Sequence, residues 1–348
     1  VGYLSGLDLT SGENNTLVGS NAGENLTIGN YNIAIGYKAL QKSVDGDFNV
    51  AIGYQALEDY EDGDGDGYNT AIGSNSQREN ATGQFNTSLG GLSMQTGVTT
   101  GDHNTALGYK AGEDLVGGHS NILVGSFAGG NINSGVENVA VGYNALLTNA
   151  DGDGNVAIGT DALKTLEPAD GLSYNIAVGY HAGKLMTTGV GNTILGGLAG
   201  DALTTGAHNV AIGYEALGAE DVGGKNVAIG KGALKVQNYD GDAYNVAVGY
   251  QSGLAVTTGI QNTVVGGRAL QANTVGLGNV ALGYQAMYTN VDGSKCVAIG
   301  TNALLAQEPA SALDMYNVAI GYNAGAAVTT GTVNTIIGGL AGDALTTG

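Results

Sequence analysis

Short apolar runs recur along the whole chain, and each run lies between an Asn and a Gly. The repeated unit is Asn, any residue, a small residue, an aliphatic residue and Gly, as at residues 32–36, 49–53 and 226–230. It occurs 19 times, and the motif glycines follow one another at a spacing of seventeen in 13 of 18 cases. A constant period of this kind predicts that each unit stacks on the next.

The apolar runs predict short strands rather than helices. They are three or four residues long, whereas helical repeats need units of about 33 residues with helical periodicity. The residue before the Gly is always Val, Ile or Leu, and the residue two positions earlier is always Thr, Val or Ile. Alternation along a strand puts these two positions on one face, so we expect Ile35, Ile52 and Ile229 to form an interior stripe.

Seventeen residues suit one solenoid coil with two short strands and two turns. We therefore predict an all-β parallel β-solenoid (β-roll) of about 19 to 20 coils, running from residue 1 to 348 as one continuous array. Gly2 precedes Gly19 by one full period, and the last ten residues repeat residues 197–206 and then stop. We expect a segment of a longer fibre protein, with coils cut at both ends.

The motif Asn is present in 18 of the 19 copies, and Cys296 replaces it in the other. Stacked coils would place Asn32, Asn49 and Asn226 in a structural ladder whose amides hydrogen-bond along the stack. The alternative is that Asn only supplies a turn before the strand. Three residues after the Gly the residue is Ala or Ser in every copy, which predicts a close contact there.

Two other positions vary together. Where the residue two before the Gly is large, as at Leu17 and Leu123, the residue after the Gly is Ser or Gly. Where Tyr follows the Gly, as at Tyr37 and Tyr54, the earlier residue is Ala. We expect the two positions to fill one shared volume and therefore to touch, either within a coil, between coils or across a subunit boundary.

Composition and charge exclude several classes of protein. The chain has 63 Gly without a three-residue period, 2 Pro and no Trp, and its formal charge is −20. It is therefore not collagen-like, and neither nucleic acid nor an anionic membrane surface is an expected partner. No apolar run is long enough to span a bilayer, so we expect no membrane insertion of this segment.

The candidate sites are few. Asp62, Asp64 and Asp66 alternate with Gly, as in the first half of a calcium loop, but the Glu expected at position 12 is replaced by Gly73. The preferred interpretation is a solvated Asp-Gly turn, and calcium is the alternative and the one candidate cofactor. We find no catalytic motif and no zinc spacing, and we expect the chain not to be an enzyme.

The repeat resembles those of two kinds of fibre. The segment Asn104-Thr105-Ala106-Leu107-Gly108 is similar to units in phage tail fibres and in the heads of trimeric autotransporter adhesins. The resemblance covers nearly the whole chain. It implies a left-handed β-roll assembled as a parallel homotrimer, although parallel crossovers are generally right-handed.

These observations together predict the structural shaft of an extracellular attachment fibre, on a virion tail or a bacterial surface, that mediates adhesion to a host or another surface. Self-association is also expected because one narrow coil buries little surface by itself. A host glycan or receptor is a further candidate partner. The alternative is a purely structural extracellular filament or matrix protein without a receptor site of its own.

Overall fold

The computed structural model describes residues 1–61, 66–168, 171–309 and 311–348. These residues form strands, bridges, turns and bends, and none of them lies in a helix. The chain is an all-β parallel β-solenoid of about 19 coils, and most coils are seventeen residues long, which confirms that part of the predicted fold. The chain divides into two compact units, Val1–Tyr174 and Asn175–Gly348.

The three-residue strands of the first unit come once per coil, and successive ones pair in parallel. They are β1 (Thr16–Val18), β2 (Ile33–Ile35), β3 (Val50–Ile52), β4 (Thr70–Ile72), β5 (Thr87–Leu89), β6 (Thr105–Leu107), β7 (Ile122–Val124), β8 (Val139–Val141), β9 (Gly152–Asp153), β10 (Val156–Ile158) and β11 (Gly171–Leu172). Strands β9 and β11 form a separate parallel pair.

The second unit repeats the arrangement, again with parallel pairing between successive coils. Its strands are β12 (Ile176–Val178), β13 (Thr193–Leu195), β14 (Val210–Ile212), β15 (Val227–Ile229), β16 (Val246–Val248), β17 (Thr263–Val265), β18 (Val280–Leu282), β19 (Gly293–Ser294), β20 (Val297–Ile299), β21 (Leu313–Asp314), β22 (Val318–Ile320) and β23 (Thr335–Ile337). Strands β19 and β21 pair separately.

The register places equivalent residues directly over one another. In the first unit Ile35 pairs with Ile52, and in the second unit Ile229 pairs with Ile212. The prediction of two strands per coil was wrong, because most coils have a single three-residue strand and the remainder of the coil is turn. A few coils add a two-residue second strand.

The expectation that the aliphatic residue before the Gly lies inside was also wrong. Ile35 is 37% exposed and Ile52 and Ile229 are half-buried, whereas the middle residue of the three-residue strands, such as Ala34, is buried in every case except Leu17. The cause is alternation: the motif Asn, as at Asn32, takes the inner face together with the middle residue. The two β-branched or aliphatic positions therefore face outward.

Interior volume is balanced in a different way from the one expected. The Tyr after the motif Gly is exposed, so it shares no volume with the middle residue. Instead, the large residue at the middle of a strand packs against a second Gly, which lies four residues after a motif Gly. Because this second Gly has no side chain, it leaves room for the large residue. A Cβ at Gly112 or Gly129 would lie 2.8 or 2.6 Å from the side chain of Leu123. Elsewhere that fourth position is a fully buried Leu, Met or Gln, as at Leu40, Met94 and Gln77.

The turns depend on left-handed backbone at residues other than Gly. In one coil Tyr31, Lys38 and Leu40 have φ values of 58°, 56° and 52°. Such a conformation costs about 1–2 kcal/mol for each residue with a side chain. The N–H of each of the three donates a 3.0 Å hydrogen bond to a carbonyl of an adjacent coil, so stacking offsets the cost.

The motif Asn residues are fully buried except for Asn15 and Asn334, and they link successive coils. In the first unit the Asn32 Oδ1 accepts a 2.9 Å hydrogen bond from the Asn49 N–H, and the Asn32 Nδ2 donates to the Gly46 carbonyl at 2.7 Å. In the second unit Asn209 accepts in the same way from the Asn226 N–H at 3.0 Å. The side chains thus bond mainly to the backbone of neighbouring coils.

The motif glycines allow this spacing. Gly142 has a φ of +137°, and a Cβ there would lie 2.6 Å from the carbonyl oxygen of Gly159 in the next coil. Any larger residue would force the two coils apart.

We expect Gly142→Ala to destabilise the first unit by at least about 1–3 kcal/mol, because it adds both backbone strain and a clash with the next coil. The measurement is the denaturant midpoint followed by circular dichroism. Gly117→Ala is the matched control, since a Cβ there meets no atom within 4 Å. Equal midpoints for the two variants would contradict the close stacking.

We expect Asn209→Ala to destabilise the second unit because it removes the partners of the Asn226 N–H and of the Gly223 carbonyl. Each buried group left unpaired costs about 1–3 kcal/mol. The exposed Asn238 provides the control variant Asn238→Ala. The test is the thermal melting of both variants. If the hydrogen bonds of the motif Asn residues contribute nothing to stability, the two melting curves will coincide.

Candidate functional site

Apolar side chains cover the outside of the strands in both units. The first and last residues of each three-residue strand point outward and are half-buried or exposed, for example Ile33 and Ile35 at 37% each. We call this surface the outer strand face. Exposed tyrosines lie beside it where Tyr follows the motif Gly, as at Tyr37 and Tyr54. Contiguous apolar surface of this kind marks interaction sites in soluble proteins.

A stack of aromatic rings follows one turn of the first unit. The rings belong to residues that directly precede the motif Asn in successive coils, which are Tyr31, Phe48, Tyr68, Phe85 and His103. Their centroids are 5.0, 4.8, 5.5 and 4.8 Å apart, and adjacent ring planes differ by only 2–11°. We call this set the aromatic ladder. Each stacked pair stabilises the coils by about 0.5–1.5 kcal/mol.

Since neighbouring rings cover each other's faces, the ladder presents mainly ring edges to solvent. Tyr31 is 54% exposed and Phe85 is 43% exposed. The signal is present in the sequence as an aromatic residue before five successive motif Asn residues, but it becomes visible only when the coils are aligned on that Asn. Exposed aromatic edges of this kind are common in binding surfaces.

Two inserted turns of the second unit repeat one polar arrangement. Lys225 Nζ lies 2.6 Å from Asp242 Oδ2 and 3.3 Å from the Tyr244 hydroxyl oxygen. In the next such turn Lys295 Nζ lies 2.7 Å from Asp314 Oδ2, and the Tyr316 hydroxyl completes that group at 3.4 Å.

Each lysine also lies over the tyrosine ring, at 5.3 Å for Lys225 and 5.4 Å for Lys295 from Nζ to the ring centroid. The hydrogen bond with Lys225 lowers the pKa of Asp242, and the same contact raises the pKa of Lys225. Both pairs are solvated, so they contribute little to stability. The two groups show that the space between the carboxylate and the phenol accommodates an ammonium group.

The predicted calcium site can be followed only in part. Asp62 and Asp64 lie outside the described residues. Asp66 forms a parallel bridge with Asp47, one coil earlier. The pKa of Tyr68 is raised by desolvation first and by the Asp66 charge next. Among the described residues no three His, Cys, Asp or Glu side chains converge as metal ligands would; calcium binding remains a prediction.

Other Asp-Gly turns bond their carboxylates to the preceding coil. Asp153 Oδ1 accepts a 2.8 Å hydrogen bond from the Val136 N–H, and Asp151 Oδ1 accepts one of 2.6 Å from the Ser134 hydroxyl. These contacts are those expected of structural turns.

Two titratable groups lie inside the coils of the second unit. Glu220 is fully buried and accepts hydrogen bonds from the Gly223 N–H at 2.8 Å and from Gln237 Nε2 at 3.1 Å. Burial raises its pKa. Burial also raises the pKa of the Cys296 thiol, which keeps it protonated and unreactive. Neither group is reachable by a substrate, and both fill the interior.

In the part of the chain that the structure describes, no helix has the length and apolar character needed to cross a bilayer. No protein-family model and no curated protein matches the chain. Function must therefore be inferred from the repeat and from the surfaces that it creates.

Proposed function

We propose that this chain is the shaft of an extracellular attachment fibre, of the phage tail fibre or bacterial adhesin kind, which mediates adhesion to a host or surface. In this proposal the chain is non-catalytic and assembles as a parallel homotrimer. A host glycan or receptor is its external partner. The observation that carries the proposal is the outer strand face, which has an outward aliphatic residue in every described coil.

The repeat of that face limits which partners can cover it. Parallel strands place β-branched and aliphatic residues at intervals of about 4.8 Å along each unit. A partner that covers the face continuously needs the same interval. Further copies of this chain, aligned in parallel, have the same interval between their side chains because they have the same repeat. The number three comes from the resemblance to trimeric fibres and not from the geometry.

A second function is compatible with the same surface. A purely structural filament or matrix protein would also self-associate through an apolar repeat, but it would have no receptor site. The exposed tyrosines beside the outer strand face favour attachment, because Tyr combines a large apolar ring with a polar hydroxyl and is common in binding surfaces.

We expect light scattering after gel filtration to give three times the chain mass of 34.6 kDa. Ile229→Glu should shift the mass toward one chain without unfolding it, because this side chain lies outside the coil and a charge in an apolar interface is costly. The control variant Asn238→Glu adds the same charge at an exposed turn and should remain trimeric. A monomeric wild-type chain would rule out the trimer.

Binding experiments distinguish the attachment fibre from the structural filament. Fluorescently labelled protein is tested for binding to glycans and to candidate host cells. The attachment proposal predicts saturable binding to a subset of glycans or cells. End-to-end polymers in electron micrographs, with no binding to any surface tested, would instead favour the structural filament.

A further inference from the structure

The aromatic ladder offers an apolar surface whose ring edges are exposed. Its central pair, Phe48 and Tyr68, stacks with centroids 4.8 Å apart. Asp66 lies two residues before Tyr68 in the same turn, and its charge is the second cause, after desolvation, of the raised pKa of Tyr68. An apolar surface and a carboxylate thus meet at one place.

The same turn occurs twice in the second unit with a cation already present. The sequence Asp-x-Tyr-Asn is found at residues 66–69, 242–245 and 314–317. In the two later turns the ammonium group of Lys225 or Lys295 contacts the Asp carboxylate and the Tyr hydroxyl and lies over the Tyr ring. The protein itself therefore shows which chemical group fits this turn.

In the first unit that lysine is missing. Phe48 occupies the place of Lys225 and Lys295, and its φ of 58° matches their 60° and 59°. Its ring stacks between Tyr31 and Tyr68 and carries no charge. In the described part of the chain, neither Asp47 nor Asp66 takes part in an ion pair.

The first turn also has one more negative charge. Asp47 is the bridge partner of Asp66, whereas Gly224 and Ser294 hold that place opposite Asp242 and Asp314. The two units also differ in overall charge. Residues 1–174 include 21 Asp and Glu and 5 Lys and Arg, whereas residues 175–348 include 10 Asp and Glu and 6 Lys and Arg. Local charge thus attracts a cation from solution.

We propose that Asp66, Asp47 and Tyr68, together with the edges of the aromatic ladder, form a binding site for primary alkylammonium cations. The ammonium group contacts the Asp66 carboxylate and the Tyr68 hydroxyl, as the lysine Nζ contacts the equivalent groups in the second-unit turns. Its alkyl chain lies against the exposed ring edges. The cation is held by charge-assisted hydrogen bonds to carboxylate and phenol and by burial of its apolar part.

The test uses the full chain and dansylcadaverine, a fluorescent primary alkylammonium, followed by fluorescence anisotropy at about 10 mM salt, where screening is weak. We expect saturable binding that is displaced by pentylamine. Phe48→Lys should weaken binding about tenfold or more, because its own ammonium group then occupies the site. The reverse change, Lys225→Phe, should add a second binding site by freeing Asp242.

Asn131→Lys is the matched control, since it adds the same charge at an exposed position of the first unit and should leave binding unchanged. If Phe48→Lys melts at a lower temperature than the wild type, Asp66→Asn provides the same loss of binding without changing the ladder. Wild-type affinity in Phe48→Lys or Asp66→Asn would overturn the site. Equal binding of N-acetylated dansylcadaverine, which has no charge, or full displacement by calcium at matched ionic strength, would overturn it as well.

Discussion

The contact between successive coils determines the rest of this structure. The motif glycines approach the backbone of the next coil so closely that a Cβ at Gly142 would clash with a carbonyl. Beside them the buried Asn side chains bond to the backbone N–H of the next motif Asn. Together these contacts fix the register, because a shift by one residue would remove the Asn from the interior and place an aliphatic side chain there.

The same contact explains why the coil is apolar on its outside. Once Asn takes the inner face of the strand, alternation leaves only one further inner position, which is usually Ala. The aliphatic residues on either side of it must face outward. A solenoid built in this way satisfies its backbone hydrogen bonds along the stack and leaves aliphatic side chains on its outside. The turns can then vary without disturbing the stack, and the aromatic ladder and the Lys-Asp-Tyr groups are two such variations.

Much of the fold could be predicted from the sequence, since the constant period and the columns of Gly, Asn and Ala are visible in the chain. The direction of the side chains could not. Val and Ile before the Gly suit an interior or an exterior strand face equally well, and only the burial of Asn32 decides between them. The left-handed backbone at Leu40 and Lys38 was also hidden, because neither residue type favours it.

The candidate surfaces were predicted less well for a related reason. The acidic loop at Asp62, Asp64 and Asp66 drew attention through its local pattern. By contrast, the Lys225, Asp242 and Tyr244 group joins residues of two coils, so no single stretch of sequence contains it. Chemistry in a repeat protein of this kind lies between equivalent positions of neighbouring coils rather than within one local motif.

Hydrogen exchange of the motif Asn backbone amides tests the central claim most directly. If the N–H of Asn49 and Asn226 is held by the amide oxygen of the preceding motif Asn inside the coil, both should exchange only when the coils separate, as slowly as the N–H groups of the adjacent strands. Exchange of these two amides at the rate of an unfolded chain would contradict the account.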